Sequence, residues 1–582
     1  MFRSKLRQTL LANAPLIIHH SVARSCLLGM ATSLLITLPT AAAEKIYVAY
    51  SVLERSISVA ALEAYARHGT IEDEDLKAYA RHANPQLLEQ LRAALLSKAD
   101  LSPVAVSQFL YSPQGEVLLK RLGQVIQSES RVPGFKGLRA ALILASADPE
   151  GLTLLNVLRY FPTRGLRIDI DRALDIAEEL QRLVAQTNQM TAIVQERAIA
   201  ESAADTDPFR FFDGINPRAR GPYTWEKQTL SLVDLSRQPI APPAGSPPLP
   251  EDIAAVARQG RFFQVDLYLP DDLRSVTQAP IVIISHGLGS DRSTFVYLAH
   301  HLVSHGFAVL VPEHPGSNAK QMEALIRGSA QEVAEPSEFR DRPLDITYLL
   351  DQLERQAAAN PALAGRINLQ QVGVIGQSFG GYTALALAGA PINPTALSQN
   401  CTNLEDTFNI SLLLQCRATE LGQNGQSLRD PRVKAVVALN PIVSGVFGRE
   451  SLSQIETPTL ILAGNADTIA PALVEQVEPF TWLPDRSKYL ALIDQGTHFS
   501  VLNNVEQGGG ALAIPAEVIG PDPATARRYV NALALVFFKT YVAEDKSYQP
   551  FLSASYARLI SENPLRLSLI QQLSSEQLKA GQ

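Results

Sequence analysis

From about residue 251 onward, short apolar runs alternate with stretches whose apolar residues recur at helical spacing. Candidate strands are the runs 262–269, 281–285, 308–312, 372–375, 433–439, 459–463 and 489–493. Candidate helices lie between them, at about 291–304, 343–358 and 380–389, and a last helix follows at 523–541. Such alternation is typical of a mostly parallel sheet with helices on both faces. The pattern therefore predicts an α/β fold for residues 251–582.

Residues 44–204 have a different pattern, which predicts a separate all-helical domain of unknown function. Three helix starts each place a capping side chain before a proline, at 84–85, 102–103 and 112–113. Ser58 and Gly69 are expected to begin and end a first helix, and residues 171–201 predict one long helix. Residues 205–250, with the proline-rich stretch 240–250, predict a linker and the start of the second domain.

The first 43 residues predict an export signal. Four basic residues precede an apolar stretch, 27–38, and the small residues 41–43 form a cleavage site. The apolar stretch is shorter than the roughly 20 residues that a spanning helix needs, although the long basic segment leaves an uncleaved anchor open. We therefore expect an exported protein, either periplasmic or secreted.

The composition is that of an ordinary globular protein, with 46% hydrophobic and 19% charged residues. Removal of residues 1–43 would take the formal net charge from −7 to −11, because that segment carries four basic and no acidic residues. This charge argues against a nucleic-acid partner. Cys401 and Cys416 would remain, and an even pair in an exported protein favours a disulfide, with two free buried thiols as the alternative.

The pentapeptide Gly376-Gln-Ser-Phe-Gly380 follows a predicted strand and opens a stretch of small residues. A serine with a glycine two residues away on each side, between a strand and a helix, is typical of the nucleophile elbow of α/β-hydrolases. Only hydrogen-sized side chains are expected to fit at Gly376 and Gly380, and the turn would hold Ser378 in a strained, exposed conformation. The motif alone arises by chance in many chains, but its position here predicts an α/β-hydrolase fold with Ser378 as the nucleophile.

A serine hydroxyl needs a base, and in this fold the chain order is Ser, then Asp or Glu, then His. His498 is the only one of ten histidines that follows Ser378, so it is the candidate base. Eleven carboxylates lie between the two residues. Asp467 is the leading candidate for the acid because it follows the predicted strand 459–463, and Asp494 is the lesser one. The acid would hold the histidine tautomer and stabilise the imidazolium.

Two backbone N–H groups are needed to stabilise a developing oxyanion. We expect one from Phe379, next to the nucleophile, and the other from Leu288, where flanking glycines let the loop after strand 281–285 turn inward. His286 is expected to orient this loop, whereas His314 is compatible with a pocket-lining or a structural role. The sequence holds no metal-ligand set and no glycine-rich phosphate loop, so no metal and no cofactor is expected.

Four stretches, 285–289, 302–307, 312–314 and 374–381, resemble the corresponding parts of platelet-activating factor acetylhydrolases. That family comprises α/β-hydrolase lipases that cleave short sn-2 acyl chains from phospholipids without calcium. The similarity covers roughly residues 220–545. It implies that Ser378, His498, Leu288 and Phe379 have the roles given above.

One departure from the family concerns the acid. The family's acid follows the strand after the nucleophile helix, where this chain has Asn440. Since an asparagine cannot stabilise an imidazolium, the acid is expected at Asp467. The order of export signal, helical domain and hydrolase domain also resembles a group of exported bacterial hydrolases.

We therefore expect a serine esterase of the lipase type that acts on a small-molecule or lipid ester through an acyl-enzyme. Contact with a lipid interface stays open, and a partner for the helical domain is unknown. The alternatives are a polyester or dienelactone-type hydrolase that uses the same residues, and a binding protein with a hydrolase-like fold. The insertion 391–430 is either a disulfide-pinned lid or a surface helix packed on the sheet.

Overall fold

The computed structural model describes residues 43–50, 53–81, 84–99, 101–205, 214–240, 251–271, 278–359, 365–422, 427–503 and 516–580. Apart from Ala43, the predicted export signal lies outside these residues. In these ranges, none of the helices combines the length and the apolar character needed to cross a membrane.

The N-terminal region, residues 43–169, contains strands as well as helices. Its strands are β1 (Lys45–Tyr50), β2 (Leu53–Ser58), β3 (Lys98–Ala99), β4 (Ile126–Ser128), β5 (Leu152–Thr153) and β6 (Gly165–Asp169). They form a four-stranded sheet in the order β2-β1-β6-β4 and a two-stranded sheet of β3 and β5. The prediction of an all-helical domain is therefore wrong. The strands β1 and β2 have six residues each and pair antiparallel as neighbours in the chain, so this hairpin is a local feature that the prediction missed. The other strands have two to five residues, and β6 pairs in parallel with the distant β1.

The four helices predicted in this region are confirmed as α1 (Val59–His68), α3 (Pro85–Leu96), α4 (Pro103–Tyr111) and α5 (Pro113–Val125). The region also contains α2 (Glu74–Ala80), α6 (Phe135–Ala147) and α7 (Leu154–Arg159), which were not predicted. Ser58, Ser102 and Ser112 each accept a hydrogen bond from the backbone N–H three residues on, at 3.0 to 3.2 Å. Gly69 ends α1 with a φ of 73°, which glycine adopts without strain. The region has a hydrophobic core of its own, to which Ile46, Leu119 and Leu166 belong.

A single helix, α8 (Ile170–Ala203), leads from the N-terminal region to the rest of the chain, as predicted for residues 171–201. Its second half buries Met190, Val194 and Ala198 in a core shared with the large sheet. The helix is therefore packed on the second half of the molecule.

A nine-stranded sheet lies at the centre of the remaining chain. Its strands are β7 (Trp225–Asp234), β8 (Arg261–Pro270), β9 (Ala279–Ser285), β10 (Ala308–Pro312), β11 (Ile367–Gln377), β12 (Val433–Leu439), β13 (Thr459–Gly464), β14 (Lys488–Ile493) and β15 (Leu567–Ile570). The order is β15-β14-β13-β12-β11-β9-β10-β8-β7. The six central strands pair in parallel, in the order β14-β13-β12-β11-β9-β10. The strands β7, β8 and β15 pair antiparallel at the two edges. All seven predicted strands are confirmed, and the α/β fold with them.

Helices cover both faces of this sheet. They are α9 (Glu251–Ala257), α10 (Val296–Ser304), α11 (Ala319–Ile326), α12 (Glu338–Ala359), α13 (Phe379–Ala388), α14 (Pro394–Asn400), α15 (Leu412–Gln415), α16 (Gly448–Leu452), α17 (Glu478–Trp482), α18 (Ala516–Ile519), α19 (Pro523–Tyr541), α20 (Ala554–Ile560) and α21 (Ser575–Ala580). In β9, Ile281 and Ile283 belong to one apolar core, while Val282 and Ile284 belong to the other. Burial on both faces explains why the central strands are continuous apolar runs.

Candidate active site

Ser378 lies at the turn between β11 and α13. Its φ of 55° and ψ of −114° are outside the regions that non-glycine residues ordinarily adopt. The Ser378 N–H donates a hydrogen bond of 2.8 Å to the carbonyl of Leu439, at the end of the neighbouring strand β12. This is the strained strand-to-helix turn that the pentapeptide predicts. Ser378 is buried, however, so the predicted exposure of this residue is wrong.

The two glycines of the turn have no room for a side chain. A Cβ on Gly376 would lie 2.1 Å from the carbonyl oxygen of Gly380. A Cβ on Gly380 would lie 2.0 Å from the carbonyl oxygen of Ser285. Both positions therefore require glycine for steric reasons, independently of their backbone angles.

Asp467 and His498 form a buried pair at the carboxyl edge of the sheet. Asp467 follows β13 and His498 follows β14, so two adjacent parallel strands bring them together. His498 Nδ1 lies 2.6 Å from Asp467 Oδ2. The other oxygen, Oδ1, accepts hydrogen bonds from the N–H groups of Ile469 at 2.9 Å and Ala470 at 2.7 Å. The carboxylate is thus fixed by its own loop and aimed at the imidazole.

Asn440 also binds the carboxylate. Its Nδ2 donates a hydrogen bond of 2.9 Å to Asp467 Oδ2, and its backbone has a φ of 43°. By contrast, Asp494 accepts hydrogen bonds from Asn465 and Arg566, each at 2.9 Å. Within the described chain no hydrogen bond joins Asp494 to His498. Of the two carboxylates considered, Asp467 is the one in contact with the imidazole.

Gln377 connects the histidine loop to the serine turn. Its Nε2 donates a hydrogen bond of 3.1 Å to the carbonyl of His498. Ser378, the residue after Gln377, is hydrogen-bonded to Leu439. Asn440, the residue after Leu439, is hydrogen-bonded to Asp467. These contacts close a ring around the site. Among the described residues, no hydrogen bond joins the Ser378 hydroxyl directly to His498, a contact that in free enzymes is often long.

The loop after β9 packs against the serine turn. A Cβ on Gly287 would lie 2.3 Å from Gln377 Oε1, and Gly289 has a φ of 69° while its N–H donates to the Ser317 carbonyl at 2.9 Å. Leu288 lies between these two glycines. Phe379 is the first residue of α13, so its N–H has no acceptor within the helix. Of the two N–H groups that were predicted to bind an oxyanion, that of Leu288 lies on the loop after β9 and that of Phe379 lies at the start of α13.

A second serine, histidine and aspartate set lies fully buried behind this loop. His314 Nε2 is 3.0 Å from Ser285 Oγ, and His314 Nδ1 is 2.9 Å from Asp345 Oδ2. Burial, together with nearby Arg342, lowers the pKa of His314 to about 3, so the ring is neutral. Burial would raise the pKa of Asp345, but Arg261 and further partners hold it well below its usual range. These residues are structural, which decides the role left open for His314.

Buried charges hold the loop in place. Arg342 donates to the His286 carbonyl and, at 2.7 Å, to Ser317 Oγ, and burial lowers the pKa of Arg342 to about 10. His286 Nε2 accepts from the His314 N–H at 3.0 Å, in agreement with the loop-orienting role expected for His286. Arg342 was missed in the sequence. Glu338, Arg342 and Asp345 are spaced by four and three residues on α12, so they share one helix face, and this spacing was the available signal.

Cys401 and Cys416 form the predicted disulfide. They enclose the loop 401–416, within the predicted insertion 391–430. The side chains of Leu412, Leu413 and Leu414 are buried, and Leu414 belongs to a core shared with the sheet. This part of the insertion therefore packs on the sheet, as the second of the two alternatives predicted.

Two family models match parts of the chain. Residues 42–169 match the model described as "Alpha/beta hydrolase of unknown function (DUF1400)". Residues 261–347 match "Platelet-activating factor acetylhydrolase, isoform II", a segment that runs from β8 into α12 and includes the loop with Leu288. The first match lies in the N-terminal region, outside the nine-stranded sheet.

Curated relatives of known activity are more distant. The chain is 23% identical over 278 residues to Cutinase 2 of Thermobifida cellulosilytica, which covers 47% of this chain and 71% of that protein. It is 22% identical over 311 residues to platelet-activating factor acetylhydrolase of Cavia porcellus, covering 48% and 62%. It is 27% identical over 216 residues to chloroplastic Chlorophyllase-1 of Citrus unshiu, covering 35% and 54%.

These distant relatives are ester hydrolases, and the alignments with the last two span less than two thirds of the relatives' own length. The large sheet is mostly parallel, its serine turn has the geometry described above, and both matching models describe hydrolases. On this evidence the chain has an α/β-hydrolase fold.

Proposed function

We propose that the protein is a serine carboxylic ester hydrolase that works through an acyl-enzyme. The observation that carries this proposal is the buried pair of Asp467 and His498, with 2.6 Å between Oδ2 and Nδ1, held against the turn of Ser378 by Gln377. A neutral serine hydroxyl needs such an oriented base. The similarity to several ester hydrolases supports the same reaction class.

In the proposed first step, Ser378 Oγ attacks the ester carbonyl carbon while His498 Nε2 accepts the hydroxyl proton. Nε2 is free for this role because Nδ1–H donates to Asp467. The carboxylate fixes this tautomer and stabilises the imidazolium that forms. His498 then gives the proton to the departing alkoxide, which leaves as the alcohol. A water, activated by the same imidazole, hydrolyses the acyl-serine.

The oxyanion of each tetrahedral intermediate would be bound by the N–H groups of Leu288 and Phe379. Removal of one such donor in a model enzyme costs about 2.7–4 kcal/mol of transition-state stabilisation. Donors of this kind are effective only when they are fixed in advance. The buried contacts of Arg342 with the His286 carbonyl and Ser317 supply that rigidity.

For the substrate, we propose a lipid or small-molecule ester with a short acyl group, such as a phospholipid with a short sn-2 chain. The matching model over 261–347 and the relative from Cavia porcellus support this choice. We further propose that the protein is exported. The disulfide of Cys401 and Cys416 supports an oxidising compartment.

The cutinase relatives favour a second candidate, a polyester hydrolase that uses the same residues. A binding protein with a hydrolase-like fold is less well supported. A binding protein does not need the serine, the aspartate and the histidine. This chain has all three, and hydrogen bonds through Gln377 and Asn440 connect them.

The proposal is tested by labelling the purified protein with a fluorophosphonate probe and mapping the modified peptide. We expect the label on Ser378, and we expect Ser378→Ala to lose both labelling and the hydrolysis of short p-nitrophenyl esters. Thermal unfolding of the variant serves as the control for folding. Labelling that persists in folded Ser378→Ala would overturn the assignment.

The substrate class needs a separate comparison. Phospholipids with short and long sn-2 chains, soluble esters and a polyester film are offered to the same preparation. Preferential release of the short sn-2 acyl group supports the first candidate. Release of soluble products from the film, with phospholipids untouched, would favour the polyester hydrolase instead.

A further inference from the structure

Helix α5 of the N-terminal region is bonded to the disulfide-closed loop 401–416. The Arg121 guanidinium donates to the carbonyl of Thr407 and lies 4.0 Å from the centroid of the Phe408 ring. Gln114, which is buried, donates from Nε2 to the carbonyl of Leu413 at 3.4 Å. The contact thus combines a charged hydrogen bond, a cation–π contact and a buried amide.

Two ion pairs accompany this contact. Lys120 lies 3.3 Å from Glu405, and Arg172 lies 3.4 Å from Asp406. The four side chains are about one-third or more exposed, and exposed pairs of this kind contribute little to stability. Arg121 is therefore the better target for separating the N-terminal region from the loop.

The same loop is bonded to the segment that carries Asp467. The Ser411 N–H donates to the carbonyl of Ile469 at 2.9 Å. The Ile469 N–H in turn donates to Asp467 Oδ1 at 2.9 Å. Ile469 therefore connects the disulfide-closed loop to the carboxylate of the candidate acid through its own peptide groups.

A buried carboxylate strengthens this connection. Glu475 is fully buried and accepts hydrogen bonds from Ser411 Oγ at 3.0 Å and Gln415 Nε2 at 2.8 Å. It also accepts from the N–H groups of Val443 at 2.6 Å and Ser444 at 2.9 Å, shortly after Asn440 in the chain. A buried carboxylate needs such donors. Glu475 therefore holds the loop 401–416 and the segment after β12 together.

We propose that the N-terminal region is part of the catalytic apparatus, because through the loop 401–416 it positions the carboxylate of Asp467 against His498. Arg121 acts as a positioning residue, remote from the substrate. This inference rests on the proposed serine hydrolase function and assigns a role to the N-terminal region.

The expected consequence is specific to the acid. A correctly placed carboxylate stabilises the imidazolium that forms when the base accepts the serine proton. If Asp467 loses its position, this stabilisation of the transition state is lost, so kcat falls while KM changes little. In the described chain Asp467 is the charged group in contact with His498, whereas Asp494, on the same edge, is bonded to Arg566.

The test compares Arg121→Ala with Arg67→Ala in the full chain, with p-nitrophenyl acetate as the substrate. Arg67 is the matched control because its guanidinium pairs with Glu63 and Glu150, both within the N-terminal region. We expect a fall in kcat of roughly 2- to 30-fold for Arg121→Ala alone. We also expect KM to change little in this variant, and recovery of kcat in Arg121→Lys, which keeps a cation over the ring.

Phe408→Leu removes the cation–π part of this contact from the other side and covers the case in which Arg121→Ala does not fold. Wild-type kcat in whichever folded variant is obtained, with only the unfolding temperature lowered, would overturn the proposal. Fluorophosphonate labelling of Ser378 in the wild type is measured in parallel. Its absence would count against the proposed function itself, whereas a labelled wild type with unaffected variants would count against the positioning role alone.

Discussion

Asn440 donates a hydrogen bond to Asp467 Oδ2, the same oxygen that binds His498. The distances to that oxygen are 2.9 Å from Asn440 Nδ2 and 2.6 Å from His498 Nδ1. In the family that the chain resembles, the acid stands at the position of Asn440. Here Asn440 supplies a hydrogen-bond donor, and the candidate acid is Asp467, which follows the neighbouring strand β13. The two positions are therefore in contact, but only the second carries a carboxylate.

Replacement of Asp467 by Asn should remove most of the activity. An amide cannot stabilise the imidazolium and lets the ring adopt the wrong tautomer, which in a model triad costs about 10⁴-fold in kcat. The measurement is kcat/KM for p-nitrophenyl acetate. Asp494→Asn is the matched control, since that carboxylate binds Arg566 and Asn465 and should leave the rate nearly unchanged. The reverse ranking would move the acid to Asp494.

Asn440→Asp should make stability depend on pH. The new carboxylate would be buried beside Asp467, and both effects raise its pKa above the roughly 3.9 of an exposed aspartate. A folded-state pKa that is raised means that the free energy of unfolding falls as pH rises above about 4. The thermal midpoint of Asn440→Asp should therefore drop, relative to that of Asn440→Ala, between about pH 4 and pH 8. A constant difference between the two variants would contradict a direct contact.

Gly380→Ala should prevent the turn from forming. The added Cβ would lie 2.0 Å from the Ser285 carbonyl oxygen, a distance that requires the start of α13 and the end of β9 to separate. Gly214→Ala is the control, because Gly214 has a φ of 85° but nothing within 4 Å of the added carbon. It should cost only the strain of a left-handed residue, about 1–2 kcal/mol. Soluble yield, thermal midpoint and hydrolysis rate are compared, and equal losses in the two variants would be unexpected.

His301 should make the wild type less stable in mild acid. Burial lowers its pKa from 6.5 to about 4, while its Nε2–H donates to the Pro217 carbonyl at 3.0 Å. Since the unfolded chain binds this proton more readily, stability is lost as pH falls from about 6.5 towards 4, by up to about 1.4 kcal/mol per pH unit. His301→Gln should reduce this slope, measured by urea unfolding across that range. His68→Gln, at an exposed position, should leave it unchanged.

The large sheet was predictable because its central strands are buried on both faces. Burial of that kind gives each strand an uninterrupted apolar run, as in 308–312 and 433–439, which coincide with β10 and β12. The edge strands β7 and β15 were not predicted. Half the positions of β7 are exposed and polar, so its sequence lacks both a run and a clean alternation.

The strands of the N-terminal region were missed for a different reason. Apart from the neighbouring β1 and β2, these strands are short and their partners lie far along the chain, so local spacing favours the capped helices between them. In the candidate site, the chain order led to the prediction of Ser378 and His498, and strand position led to that of Asp467. The contacts of Arg342 and Asn440 depend on which loops meet at one edge, which no local pattern specifies.

Ser285, His314 and Asp345 show that the right trio of side chains is insufficient for turnover. All three are sealed from solvent, with an imidazole too acidic to take up a proton at neutral pH. No ester can approach the Ser285 oxygen without unfolding the loop that it supports. The molecule therefore contains a built-in negative control, because this trio only supports the loop. A fluorophosphonate probe should leave Ser285 unlabelled even when it reacts fully with another serine of the chain.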